Sequence, residues 1–287
     1  MKKSIFKASF EESLNLEDDG FVKLQQEQHD KTAKFFKNGH SSFWFRIRSL
    51  ILSLIFPVGF NFFVLIVSME FHESKTLTLP IARHESLTVN VFLILVFIWF
   101  SFVVIGKWVK QAYLLPYRYQ FHAFTFMVWF LLEMDLVVFD ILLANLSTAE
   151  IIAIYGIMMI ATYMLFTIAL AGLRKLMYAE ISGDTLLNKI AKFISLYGMA
   201  ILGIGIIIKH ISLDVSTSIK AFGFLLLWIF CNIVVLAVSA FIGLPYFLQA
   251  YYKWKYPEEY RNWEGKSVEE WYGKKYLKKH KELLKNG

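Results

Sequence analysis

Long apolar runs alternate with short polar stretches along this chain. A helix needs about 20 apolar residues to cross a bilayer core, and runs of this length recur six times. The predicted transmembrane helices are 49–69, 87–106, 121–145, 148–172, 190–212 and 219–247. The pattern therefore predicts an all-α, polytopic membrane protein. Its six-helix domain, 45–248, lies between a polar N-terminal tail, 1–44, and a C-terminal tail, 249–287.

The third run, 121–145, carries three carboxylates, Glu133, Asp135 and Asp140. On a membrane-insertion scale its apolar residues contribute roughly −6 kcal/mol and three central acids cost about +8 kcal/mol. At 100° per residue, Glu133 and Asp140 share one face, His122 lies within about 20° of it, and Asp135 points nearly the opposite way. Such a helix needs protein or a water-filled cavity on both sides. We therefore expect it to be the central helix of the bundle.

The distribution of basic residues tests the number of spans. With six spans both tails lie on one side of the membrane, together with 26 of the 30 Lys and Arg residues, and four lie on the other side. If the third and fourth runs were a single crossing, the division would be 14 against 16. Because cytoplasmic loops carry the excess of Lys and Arg, this predicts six spans in the cell membrane with both termini cytoplasmic.

Other polar residues lie at depths near that of the acids. Asn61 follows Pro57 in the first span, and Asn232 lies in the sixth. Asp140 and Lys209 are equally far along two parallel spans, so an ion pair between them would remove two unfavourable charges. The sequence predicts that these side chains form one polar layer inside the bundle. The candidate site comprises Glu133, Asp135, Asp140, Lys209, Asn61 and Asn232.

The two tails differ in their patterns. The N-terminal tail has seven Lys against seven Asp and Glu, which favours a solvated, partly disordered segment; a docking arm for a partner is the alternative. In the C-terminal tail, Ser267 and Glu270 predict a capping box that opens a helix to about Lys285.

One side of that predicted C-terminal helix is aromatic and the other is basic. The residues concerned are Trp271, Tyr272 and Tyr276 on one side, and Lys274, Lys278 and Lys281 on the other. This pattern is typical of a helix that lies on anionic lipid headgroups. A docking surface for a cytosolic partner is the alternative, and nucleic acid is not expected because the segment follows directly after a membrane span.

The sequence contains no motif for common membrane or soluble enzymes. There is no P-loop, no G-x-S-x-G and no H-E-x-x-H, so we expect no catalytic residue and no enzyme activity. The loop 70–86 has two His-Glu pairs with no metal-site spacing, and a solvated loop is expected there. Cys231, the single cysteine, excludes an internal disulfide and a cysteine-based metal cluster. We expect no cofactor and no metal.

Two functions remain open. In the first, the chain is a transport or permease component without its own ATPase, and Glu133 exchanges protons or binds a cation on a translocation path. In the second, it is a non-catalytic interaction protein, an immunity, assembly or accessory factor that binds another membrane protein or a toxin. The acids would then serve only to hydrogen-bond helices together.

Overall fold

The computed structural model describes most of the chain. The described ranges are 3–34 (except 21, 24, 27, 28, 32 and 33), 43–73, 84–141, 146–178 and 217–284. Within these ranges all regular secondary structure is helical and there is no strand, which confirms the all-α prediction. The predicted fifth span, 190–212, lies outside the described residues, and so does its Lys209.

Eleven α-helices lie wholly within these ranges, and the described residues between 20 and 34 are mostly helical as well. The eleven helices are α1 (Phe10–Leu14), α2 (Phe43–Leu50), α3 (Phe56–Glu73), α4 (Val89–Gly106), α5 (Leu115–Ile141), α6 (Thr148–Tyr178), α7 (Thr217–Val238), α8 (Leu244–Lys255), α9 (Pro257–Trp263), α10 (Val268–Tyr272) and α11 (Lys274–Leu277). Shorter 3₁₀ turns occur at Asn15–Asp18, Ala112–Leu114 and Lys281–Leu284.

Four helical stretches are long and apolar enough to cross a membrane. They are Ile51–Glu73, Val89–Gly106, Thr148–Tyr178 and Leu225–Lys255. The acid-bearing helix α5 is also long enough, with 27 residues. It is not among the four.

Two prolines shape the helices without ending them. A π-helical turn, Ile51–Ile55, ends two residues before Pro57, and a second, Ser239–Gly243, ends two residues before Pro245. A proline ring clashes with the carbonyl four residues earlier, and the wider π turn gives that carbonyl room. The helix therefore continues through Pro245 as α8 to Lys255, beyond the predicted end of the last span at 247.

Helix α5 lies at the centre of the described bundle. It contacts α3, α4, α7 and α8, whereas α6 packs mainly along α7. The core between α3, α4 and α5 contains buried Leu65, Trp99, Trp129 and Val137. These contacts agree with a helix that must be sheltered from lipid on more than one side.

The two ends of the chain pack together into a compact unit, which we call the cap (the described residues of 3–34 and 244–284). Ile5, Ala8 and Leu16 are buried in one core with Tyr252 and Trp271. The Tyr252 hydroxyl donates to the Ile5 carbonyl and accepts from the Ala8 amide. The expectation of a solvated N-terminal tail is therefore wrong for these residues, because their apolar side chains find an aromatic surface at the other end of the chain.

The C-terminal tail differs from the predicted single helix. Ser267 and Glu270 do form the capping box, but the helix ends at Gly273, whose φ of 82° lies in the left-handed region. Trp271 is 1% exposed and stacks on Tyr113 at 4.4 Å between ring centroids.

The buried aromatic side of this segment faces protein instead of lipid. Trp271 and Tyr272 are both buried in the cap, so their prediction as membrane-surface residues is wrong. Lys274, Lys278 and Lys281 are exposed, and Tyr276 is partly buried against Tyr272. Their contact with anionic lipid headgroups stays a prediction.

Candidate functional site

The three acids of α5 are each held by a different neighbour. Glu133 and Asp140 are fully buried, and Asp135 is partly buried. None of the three is left facing lipid without a hydrogen bond.

Glu133 is bonded within its own helix. The Trp129 indole Nε1, one turn earlier, donates to Glu133 Oε1 at 2.6 Å. Trp129 is itself fixed by Trp99 and Phe92, with ring centroids 5.5 and 6.1 Å away. The second oxygen, Oε2, is buried and has no hydrogen-bond partner among the described residues. One oxygen of this carboxyl group is thus open to a further ligand.

Asp140 binds the segment that leads into α4. Its Oδ2 accepts from the Ser86 amide at 2.7 Å, and its Oδ1 accepts from the Ser86 hydroxyl at 2.5 Å. This arrangement closes the far end of α5 against the start of α4. Two hydrogen bonds to one charged group are among the stronger kinds in proteins.

His72, in the last turn of α3, approaches Asp140. Its Nε2 lies 3.7 Å from Asp140 Oδ2, which is too long for a hydrogen bond. Its Nδ1 lies 3.0 Å from the Ser68 carbonyl oxygen, so Nδ1 must carry a proton. In the neutral ring, Nε2 then presents a lone pair toward a carboxylate.

Helix α3 adds two more buried polar side chains. Asn61 and Ser68 are seven residues apart and lie on its buried side. Asn61 Nδ2 donates to the Pro57 carbonyl at 2.9 Å, one turn earlier in the same helix. Asn61 Oδ1 and Ser68 Oγ have no hydrogen-bond partner within the described ranges. We call Asn61, Ser68, His72, Glu133 and Asp140 the polar seam.

Asp135 lies on the opposite side of α5, and one of its oxygens is bonded there. Its Oδ1 accepts from Trp228 Nε1 at 2.7 Å and from Asn232 Nδ2 at 3.0 Å. The two donors are one turn apart on α7, and the Asn232 side chain also bonds the Trp228 carbonyl. Asp135 therefore joins α5 to α7, as a polar bond between membrane helices does.

The predicted single polar layer is divided by α5. Asn61 belongs to the side of Glu133, whereas Asn232 belongs to the side of Asp135. The predicted Asp140–Lys209 pair involves a residue outside the described part of the chain. In the described part, both Asp140 oxygens bond Ser86 instead.

Three residues of the seam or its surroundings were missed by the sequence reasoning. Ser86 and His72 fall in the loop 70–86, which was expected to be solvated; α3 instead extends to Glu73, and Ser86 is bound to Asp140. Ser68 carries a usable signal, because it follows Asn61 by seven residues and precedes His72 by four. Ser86 has no periodic signal of this kind.

His122 shares the face of Glu133 but lies apart from the seam. At 1.5 Å per residue it is about 17 Å from Glu133 along α5. Its ring packs against Gly106, where an added Cβ would come within 2.7 Å of His122 Cε1. Its Nδ1 has no hydrogen-bond partner in the described structure.

Nothing in the described residues resembles a metal centre, since no three His, Cys, Asp or Glu side chains are grouped to hold an ion. A comparison of the chain with protein-family models, with curated proteins and with solved structures finds no match. A function is therefore inferred from the geometry of α5 and its neighbours.

Proposed function

We propose that this protein is a six-span transport component of the cell membrane that moves protons or a small cation along the polar seam. The four apolar helices, the central α5 and the predicted span 190–212 make up the six spans. The excess of Lys and Arg on the side of the tails supports cytoplasmic termini. The cap is then the cytoplasmic end of the bundle.

The proposal is carried by one observation, the buried Oε2 of Glu133 without a partner among the described residues. Burying an ionised carboxylate without compensation costs many kcal/mol. Glu133 must therefore hold a proton, or bind water or a cation, or find a donor outside the described ranges. The first three are the states through which a proton or cation pathway operates.

The rest of the seam supports a pathway instead of an isolated site. Asp140 and His72 lie about 10 Å further along the bundle axis than Glu133, and His72 Nε2 has no hydrogen-bond partner among the described residues. Asn61 Oδ1 and Ser68 Oγ add two buried atoms that require hydrogen-bond partners. Water molecules bound between these groups would link the two acids.

The energy source is not encoded in a recognisable motif. The chain carries no P-loop, so the proposed transport is coupled to an ion gradient, is channel-like, or depends on a separate ATPase. This matches the predicted permease-type component without its own ATPase.

The alternative, a non-catalytic interaction protein, is favoured by a different observation. Asp135 and Asp140 are both engaged in hydrogen bonds that hold elements together. If Glu133 is also only a structural residue, the bundle would serve as a scaffold for another membrane protein or a toxin.

Flux measurements on the full chain in liposomes test the proposal. Vesicles containing a pH-sensitive dye are polarised with a potassium gradient and valinomycin, and proton entry is followed; potassium and sodium entry are followed with the matching dyes. We expect Glu133→Gln to reduce the flux by about 100-fold, the usual contribution of a positioned proton-transfer group. The matched variant Asp135→Asn should retain it, since Asp135 lies off the seam.

The same experiment separates the two functions. Equal loss of flux in Glu133→Gln and Asp135→Asn would contradict a path along the seam. Absence of flux for protons, sodium and potassium in the unmodified protein, together with a protein that co-purifies from native membranes, would favour the interaction function.

A further inference from the structure

The cap encloses a cavity that the transport proposal does not use. Its volume is about 320 Å³, at the lower end of the range of small-molecule sites. It lies where the helical residues of 22–30 meet the first turn of α5, α8 and α9. The cavity lining includes His29, Tyr117, Gln249, Lys253, Trp263 and Lys266.

The wall of this cavity is held in place by buried hydrogen bonds. Gln249 is 3% exposed, accepts from the Tyr117 hydroxyl at 2.8 Å and donates to Glu17. Lys253 is 7% exposed, and its Nζ lies 2.7 Å from Glu264 Oε1. These side chains are thus fixed before any ligand arrives, which lowers the entropy lost on binding.

Aromatic rings form another part of the wall. The Tyr117 and Tyr246 rings are 4.6 Å apart, and the His29 ring is 4.8 Å from Tyr117. His29 Nδ1 is 3.0 Å from the Tyr246 hydroxyl oxygen, which leaves Nε2 as the second hydrogen-bonding atom of the ring. Trp263 is half exposed at the edge of the cavity. Flat apolar faces of this kind bind flat rings.

Two ammonium groups and one carboxylate stand near His29. Burial, with smaller contributions from the ammonium groups of Lys253 and Lys266, lowers the pKa of His29 to about 4, and Glu264 opposes this with a smaller effect. The imidazole is therefore neutral at pH 7, while two lysines stand beside the same cavity. Asp30 and Glu264 are the carboxylates of the lining, and Glu264 is already bound by both lysines.

We infer that this cavity binds a small organic anion that combines a flat ring with one carboxylate or phosphate group. The anionic group would lie at Lys266 and Lys253, and the ring would pack on Trp263 and the tyrosines. Because His29 belongs to the N-terminal segment and Trp263 to α9, the ligand would bridge the two ends of the chain. The inference is independent of the proposed transport function.

Thermal unfolding of the full-length protein in detergent tests this inference. The probes are adenosine 5′-monophosphate and indole-3-acetate, with the uncharged adenosine and indole as their counterparts. At 100 times its dissociation constant, an anionic probe should raise the Tm by about 5 °C. The uncharged counterparts should raise it much less, because they lack the group that the lysines bind.

Two lysine variants sharpen the test. Lys266→Gln should weaken binding of the anionic probes by about tenfold or more, the effect of losing a charged hydrogen bond. Lys274→Gln is the matched control, since the Lys274 side chain is 83% exposed and lies outside the cavity lining; it should bind as the unmodified protein does. If Lys266→Gln does not fold, Lys266→Met, which also removes the charge, is measured in its place, with the same expectation.

Either of two results would overturn the inference. One is that neither anionic probe shifts the Tm, or that the uncharged compounds shift it equally. The other is that Lys266→Gln binds the anionic probes as tightly as Lys274→Gln.

Discussion

Glu133 and Asp135 are two residues apart on one helix and have opposite surroundings. Asp135 accepts two hydrogen bonds from α7, from Trp228 and Asn232. Glu133 accepts one, from Trp129 of its own helix, and keeps a buried oxygen without a described partner. An acid bonded by fixed donors of another helix stabilises helix packing. An acid with an open oxygen can exchange a proton or bind a cation.

The difference follows from helix geometry. A step of two residues turns the side chain by about 200°, so the two carboxylates cannot share neighbours. On one side α7 offers an indole and an amide one turn apart. On the other, α3 offers Asn61 and Ser68, whose available atoms are themselves without described partners. The two carboxylates therefore differ in role because they have different numbers of protein hydrogen-bond donors, and not because one is Glu and the other is Asp.

The largest expected effect comes from removing the donors of Asp135. The double variant Trp228→Phe/Asn232→Leu leaves a partly buried carboxylate without these bonds and should lower the free energy of unfolding by about 3–5 kcal/mol. Adding Asp135→Leu should recover most of this loss, since no charge then remains to be solvated. Chemical or thermal unfolding in detergent provides the measurement.

The corresponding change on the other side should be milder. Trp129→Phe removes the described donor of Glu133, but a hydrated or protonated carboxyl group has other partners. If Trp129→Phe destabilises the protein as strongly as the double variant on α7, the distinction between the two sides of α5 is wrong.

A smaller effect concerns the cap, whose stability should depend on pH through His29. The pKa of His29 is lowered by burial to about 4, against about 6.5 in the unfolded chain. The unfolded state therefore binds the extra proton first, and stability present above pH 6.5 is lost as the pH falls toward 4. The loss amounts to about 3 kcal/mol at most.

The variant His29→Gln should remove this part of the pH dependence. Unfolding is measured from pH 7.5 to pH 4.5 for both proteins, and the slope of stability against pH should be shallower in the variant. Identical slopes would show that the loss of stability at low pH comes from groups other than His29, such as those of the polar seam.

The fold could be predicted best in the segments whose sequence the membrane constrains most strongly. The cost of three acids in one apolar run predicted a sheltered α5, and contacts with α3, α4, α7 and α8 agree with it. The start of α6 at Thr148 and the end of α4 at Gly106 also match the predicted bounds. Hydrophobic length and charge cost are local quantities, so they can be read from one segment at a time.

The cap could not be predicted in the same way. Ile5, Ala8 and Leu16 sit in a segment with balanced charge, and their partners Tyr252 and Trp271 lie more than two hundred residues away. Amphipathicity correctly indicated that the Trp271 side is buried, but it does not say against what. Lipid and protein offer the same apolar environment to such a side chain.

The bond between Ser86 and Asp140 illustrates the remaining limit. A single serine in a connecting segment has no periodic pattern, and the prediction paired Asp140 with Lys209 by depth alone. The backbone amide that also binds Asp140 is present in every residue. Only the fold decides which amide is brought to the carboxylate.

The most direct test of the account is whether water reaches the seam side of α5. In a Cys231→Ser background, Ser68→Cys and Ser239→Cys are reacted with a small, water-soluble, membrane-impermeant thiol reagent. Ser239 is seven residues after Asn232, in the π-helical turn that continues α7, on the side that bears the partners of Asp135, and it is less buried than Ser68. The account predicts that the cysteine at 68 reacts and the one at 239 does not. Reaction at 239 with none at 68 would contradict it.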